Sequence, residues 1–182
     1  MRHIKFIRSI SLIISLFLIT SCSNNSAMKP EDFKNKEPRL VIEEYMTGNV
    51  KAWGVLQNRS GKVTRQFSAD LNGSWDGKQL ILKEKFNWDD GEVQDREWII
   101  NKIDENYYEG TAGDVVGKAK GFSYGPAFKF EYVLLVPVKG KEMKITFDDW
   151  IFMQDEKVAI NRATMTKFGI KVAELTVMFV KD

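Results

Sequence analysis

Residues 79–88 read Gln-Leu-Ile-Leu-Lys-Glu-Lys-Phe-Asn-Trp, and residues 128–136 read Phe-Lys-Phe-Glu-Tyr-Val-Leu-Leu-Val. In the first stretch Leu80, Leu82, Glu84, Phe86 and Trp88 alternate with Lys83, Lys85 and Asn87. In the second, Phe128, Phe130, Tyr132, Leu134 and Val136 form one series, with Lys129 and Glu131 between them. A period of two places each series on one face of a β-strand. A helix would scatter these residues around its circumference.

The same grammar extends in both directions. The spacing predicts strands over 50–57, 63–71, 79–88, 92–102, 107–116, 119–124, 128–138, 143–153, 157–167 and 170–180. Ser60-Gly61, Asp76-Gly77, Asp89-Asp90-Gly91 and Lys139-Gly140 separate them with turn residues. Leu40–Met46 is apolar enough to pack as a helical turn ahead of the first strand. No later segment argues for a major helix. The expected fold is therefore all-β, an antiparallel up-and-down meander of about 8–10 strands. Closure into a barrel removes the exposed edges of such a meander; an open sandwich is the alternative. Gly110, Gly113, Gly117, Gly121 and Gly125 lack the strand–loop–helix setting of a phosphate loop and read as corners and bulges.

Upstream of the meander the chain changes character. Arg2, Lys5 and Arg8 precede an apolar run from Ile10 to Ile19, and Ile19-Thr20-Ser21-Cys22 has the form of a lipobox. The apolar run is too short to span a bilayer, which takes roughly 20 residues. Residues 1–21 are expected to be a lipoprotein signal peptide. Cys22, the only cysteine, is then the lipidation site, with more than one acyl chain needed for firm anchoring. The expected location is the bacterial cell envelope, on the periplasmic face. Ser23 in place of Asp favours the outer membrane. Residues 22–39 are polar and carry Pro30 and Pro38, and they read as a lipidated N-terminus followed by a flexible tether. At ~3.3 Å per residue this tether reaches roughly 55 Å. Residues 40–182 form the single barrel domain.

Removal of the leader takes three basic and no acidic residues from totals of 27 and 25, leaving 24 against 25. A polybasic nucleic-acid surface is not expected. The only histidine, His3, leaves with the leader, and Cys22 becomes a thioether. Ser-His-Asp and Cys-His catalysis are thereby excluded, as are histidine or cysteine zinc sites. No cofactor and no metal are expected. The adjacent pairs Asp89-Asp90 and Asp148-Asp149 are not paired catalytic acids, because neighbours on a strand face opposite ways and residues 89–91 form a turn.

Five tryptophans, at 53, 75, 88, 98 and 150, either fill the barrel core or line an apolar pocket. Arg96 and Trp98 share a strand face, as do Asp148 and Trp150. An inward arginine needs a partner. Arg96 or Arg162 pairing with Asp148 or Asp114 would meet that need; capture of an anionic head group is the functional alternative. The candidate ligand-binding residues are therefore Trp53, Arg96, Trp98, Tyr132, Asp148, Trp150, Asn161 and Arg162.

Several phrases, taken in order, carry a family resemblance. They are Ala52-Trp53-Gly54, Asp90-Gly91 with Arg96-Glu97-Trp98, the run from Tyr108 to Gly121, Phe147-Asp148-Asp149-Trp150, and Asn161-Arg162 with Met165 and Lys167-Phe168-Gly169. Together they resemble the uncharacterised proteobacterial lipoprotein family of domain-of-unknown-function family 3833, over essentially the whole mature domain. The resemblance implies an envelope lipoprotein with a lipocalin-like barrel and supplies no catalytic residues. Gly73-Ser74-Trp75 imitates the lipocalin Gly-x-Trp signature but falls on a later strand. The expected function is non-catalytic binding of a lipid or other small apolar ligand in the barrel. A histidine-free barrel enzyme of the isomerase or cyclase kind, acting on a lipid-derived substrate, and a structural envelope adaptor are the alternatives.

Overall fold

The structure, a computed structural model, describes residues 27–138 and 140–182. The proposed leader and Cys22 lie outside them. Ten antiparallel strands follow one another: β1 (Gly48–Asn58), β2 (Val63–Trp75), β3 (Gln79–Trp88), β4 (Val93–Lys102), β5 (Tyr107–Thr111), β6 (Ala119–Tyr124), β7 (Ala127–Val138), β8 (Lys141–Met153), β9 (Val158–Lys167) and β10 (Ile170–Lys181). Each pairs with its sequence neighbours, and β1 closes on β10, Val50 standing opposite Lys181. The all-β meander is thus a closed barrel, and closure leaves no free edge. One expected strand ends early. Residues 107–116 are strand only to Thr111, after which a loop containing Gly113 and Gly117 crosses toward β7, where Val115 bridges Leu134.

The interior is filled by large rings set against small residues. Phe128, Phe130 and Tyr132 rise along β7 with neighbouring ring centroids 5.5 and 5.4 Å apart, and Trp98 of β4 meets Phe130 at 5.1 Å. Gly110 on β5 makes this possible, since a Cβ there would strike the Phe130 ring. Each fully buried ring of this size stabilises the fold by roughly 1.5–3 kcal/mol.

One end of the barrel is plugged by a five-residue helix, α1 (Ile42–Met46). So short a helix does not persist alone in water. It is held by burial of Ile42, Tyr45 and Met46 and by a set of hydrogen bonds. The Tyr45 hydroxyl donates to the Lys157 carbonyl at 2.9 Å, and Lys181 Nζ donates to the carbonyls of Glu44, Tyr45 and Thr47 at 2.7–2.8 Å. β2 accommodates the plug at Gly73, where a Cβ would collide with the Met46 carbonyl oxygen. The hairpin turns between β1 and β2, β3 and β4, β7 and β8, and β9 and β10 all gather at the opposite, open end.

The chain ahead of the plug is partly docked. Pro30–Phe33 forms a 3-10 turn, and Phe33 packs on Trp150 and Phe152 with centroids 6.0 and 5.5 Å apart. The Leu40 amide donates to the Gly125 carbonyl at 2.8 Å. Residues 30–39, expected as free tether, therefore lie against the barrel wall, because Phe33 supplies the apolar anchor that their polar composition conceals. Among the described residues, no helix is long and apolar enough to cross a membrane.

Candidate functional site

A cavity of about 100 Å³ occupies the barrel between the plug and the open end. Ile42 and Met46 of the plug form its floor, while Phe86 and Leu175 approach the open side. Trp98 and Phe130 supply part of its apolar wall. The polar lining consists of Glu84, Arg96, Tyr132, Asp149 and Asn161.

Two linked groups make up this polar side. In one, Arg96 donates from Nε and Nη2 to Asp114 Oδ2, at 3.1 and 2.7 Å. Its Nη1 approaches Glu84 Oε2 more loosely, at 3.9 Å. In the other, Asp149 accepts from the Tyr132 hydroxyl at 3.0 Å and from the Asn161 side-chain amide, which also donates to the Trp150 carbonyl at 3.1 Å. Burial pushes the Glu84 carboxyl up to about 7; Asp149 and Asp114 add to the shift and Arg96 offsets part of it. Burial likewise raises Asp149 to about 6, against the hydrogen bonds from Asn161 and Tyr132. Burial also raises the Tyr132 phenol far above its ordinary value, and the Asp149 charge reinforces the effect. The cavity wall thus carries one cation, Arg96, against two acids, Glu84 and Asp149, and the cation is already committed to Asp114. Asp114 keeps its other oxygen, Oδ1, buried with no hydrogen-bond partner among the described residues. Nor do the described residues contain a group of three or more histidine, cysteine or acidic side chains suited to a metal.

The sequence candidates divide between the two faces of the wall. Arg96, Trp98, Tyr132 and Asn161 line the cavity. Trp53, Asp148, Trp150 and Arg162 do not. Trp53 points outward and is 46 % exposed. Ala52 and Gly54 take the inward positions beside it, leaving room for the Phe67 ring. Asp148 also faces outward, 3.4 Å from Lys129 Nζ. Trp150 is buried, but on the outer face beneath Phe33 rather than toward the cavity. Arg162 pairs with Glu174 at 3.0 Å outside the barrel. Of the ion pairs left open by the sequence, Arg96 with Asp114 is the one that forms. Sequence reasoning passed over Glu84 and Asp149. The signal for Glu84 was a single acid on the otherwise apolar face of 80–88. For Asp149 it was the phase of Ile145, Phe147 and Ile151.

Comparison with known proteins bears on the fold. The family described as a protein of unknown function, DUF3833, matches residues 16–181. No curated protein matches the chain. Several solved structures match the barrel. The S-type phycobiliprotein lyase CPES from Guillardia theta aligns with a TM-score of 0.55 at 11% identity, covering 77% of this chain and 90% of that one. A protein of unknown function from the DUF3598 family of Nostoc punctiforme aligns with a TM-score of 0.58 at 12% identity, covering 81% of this chain and 51% of that one. At such identities the likeness extends to the fold alone.

Proposed function

This chain belongs to the DUF3833 family, and for it we propose a non-catalytic role: the barrel holds one small amphipathic molecule whose polar end donates hydrogen bonds. The carrying observation is the polarity of the cavity. Its apolar wall suits a hydrocarbon segment, and its charged side presents Glu84 and Asp149 while Arg96 is occupied by Asp114. A carboxylate or phosphate entering there meets two buried acids and a single cation, Arg96, whose Nε and Nη2 are already bonded to Asp114. An amine or hydroxyl meets acceptors. This revises the expectation of an anionic head group at Arg96 or Arg162. Free space of about 100 Å³ is below the ~300 Å³ at which drug-sized ligand pockets begin. A lipid-length chain has to enter from the open end by displacing half-buried Phe86 and Leu175.

The proposal includes the address. The lipobox at Cys22 tethers the protein to the envelope, on the periplasmic face of the outer membrane. Native mass spectrometry of the wild-type protein from its own envelope should find acyl mass on the N-terminal peptide and a co-purifying small molecule. Membrane retention of Cys22→Ser in high salt, with no acyl mass on the wild type, would refute the anchor.

The ligand class is tested by titrating hexylamine, hexanol and hexanoate while following tryptophan fluorescence. The amine and alcohol should bind at least about tenfold tighter than the carboxylate. Asp149→Asn should erase most of that preference. Tighter binding of hexanoate, or no saturable binding by these or longer amphiphiles, defeats the reading. One observation favours an enzyme as the second reading: a carboxyl raised to about 6 beside a tyrosine has the properties of a general base. Chemical conversion of the co-purified molecule on incubation would decide for it.

A further inference from the structure

The open end of the barrel combines two features that no fold requires. The first is an apolar fringe at the turns. Val63, Val93, Val138, Phe168, Ile170 and Val172 are all exposed there, Phe168 at 93 % and Ile170 at 56 %. Phe168 is the most informative of them. Lys167 pairs directly with Ile170, leaving a two-residue hairpin turn in which Phe168 has φ 51° and Gly169 φ 76°. Turns with positive φ at both central positions prefer Asn-Gly. A phenylalanine in the asparagine position carries backbone strain and leaves its ring exposed, with Lys167 Nζ 5.3 Å from the ring centroid. An exposed cation–π contact is worth about 0.5–1 kcal/mol, less than the roughly 1–2 kcal/mol that the left-handed backbone costs, so it does not account for the residue.

The second feature is a basic arc. The hairpins β1–β2, β9–β10 and β7–β8 lie side by side around the rim, because β1, β10, β9, β8 and β7 are consecutive in the sheet. They carry Arg59, Lys62, Lys141, Lys167 and Lys171. Among the described residues, Arg59, Lys62, Lys141 and Lys167 have no ion-pair partner, and Glu142 and Asp89 are exposed acids near them. Lys171 is joined to Glu174, which also takes Arg162. The acids of the β3–β4 turn, Asp90 and Glu92, adjoin the β1–β2 hairpin at one end of this arc, where Arg65 of β2 holds both at 2.8 Å. Apolar tips flanked by unpaired cations match a surface that is anionic outside and hydrocarbon beneath.

We propose that this rim docks on an anionic lipid bilayer, with Phe168 and Ile170 inserted at the headgroup boundary and Arg59, Lys62, Lys141 and Lys167 on the lipid phosphates. The contact brings the open end of the barrel to the bilayer. It depends neither on acylation of Cys22 nor on the ligand reading of the cavity.

The test uses the mature chain, residues 22–182, carrying Cys22→Ser so that no acyl anchor contributes. Its closed barrel is complete without the leader. Sedimentation is compared with vesicles of phosphatidylcholine alone and of phosphatidylcholine mixed with phosphatidylglycerol. Binding should require phosphatidylglycerol and fall as salt rises. Lys62→Gln and Lys141→Gln should each weaken it about fivefold. Phe168→Asp should weaken it about tenfold or more, and Phe168→Leu should restore most of it. Near-ultraviolet circular dichroism confirms folding, which a residue this exposed does not control. Trp53→Asp, on the outer wall, and Asp149→Asn, in the cavity, should leave vesicle binding unchanged; the second separates this proposal from the ligand reading. Absence of binding to phosphatidylglycerol vesicles overturns the proposal and turns the rim toward a protein partner. Binding that survives Phe168→Asp, or is lost with Trp53→Asp, overturns the assignment to the rim.

Discussion

The barrel buries acids in two places and treats them in opposite ways. At the plug, Glu43 is 4 % exposed and receives Lys102 Nζ at 2.5 Å and the Tyr108 hydroxyl at 2.9 Å. Burial alone would raise its pKa, but these two donors hold it below the ordinary carboxylate value. In the cavity, Glu84 and Asp149 are raised to about 7 and about 6, because their donors do not match the cost of burial. A charge that the fold completes serves the fold. Charges left under-solvated beside free space lower stability and are available to a ligand. The plug is therefore a structural closure and the cavity is the place to look for binding.

The strongest way to break this distinction is at the plug. Lys102→Ala leaves Glu43 buried with one donor, and removing one partner of a buried pair costs about 3 kcal/mol or more. Urea unfolding at pH 7 should show a loss of that size, with unchanged sensitivity to denaturant. A loss below about 0.5 kcal/mol would mean that Lys102 does not staple the plug.

The cavity should show the reverse behaviour with pH. Folded, Glu84 keeps its proton to about 7; unfolded, it releases it near 4.5. Between these values the folded form binds more protons, so stability falls as pH rises. Relative to Glu84→Gln, which cannot ionise, the wild type should lose up to about 3 kcal/mol between pH 4.5 and 7. Parallel stability curves for the two proteins over that range would show that Glu84 is solvated and remove the basis for the contrast.

The sequence made the wall of this molecule more legible than its contents. Runs such as 79–88 and 128–136 carry a period of two that survives any doubt about individual residues, and the turn glycines delimit the strands. The inward set was harder because interior positions need not be the most apolar ones. On β1 they are Ala52 and Gly54, small so that Phe67 fits, while Trp53 faces out. On β8 the bulk of Trp150 drew Asp148 into the wrong phase; its true cover, Phe33, comes from a segment too polar to suggest packing. On β9, Asn161 and Arg162 are adjacent and cannot both face inward; Ala159 and Ala163 settle it in favour of Asn161. Which side of a wall a residue occupies is decided by contacts far away in the chain.

The smallest expected effect sharpens the contrast at the open end. Plug residues are conformationally relaxed and closely bonded, whereas Phe168 is strained and unburied. A left-handed backbone costs an ordinary residue roughly 1–2 kcal/mol, and asparagine tolerates it better. Phe168→Asn should therefore leave the barrel as stable as the wild type or raise its stability by up to about 1 kcal/mol, read as an upward shift in thermal midpoint. The same variant should lose most of its binding to phosphatidylglycerol vesicles. Opposite signs for stability and docking would identify Phe168 as a residue retained against the preference of its own turn. If Phe168→Asn instead lowers the midpoint, the ring stabilises the folded barrel, and its exposure is no longer evidence for a bilayer contact.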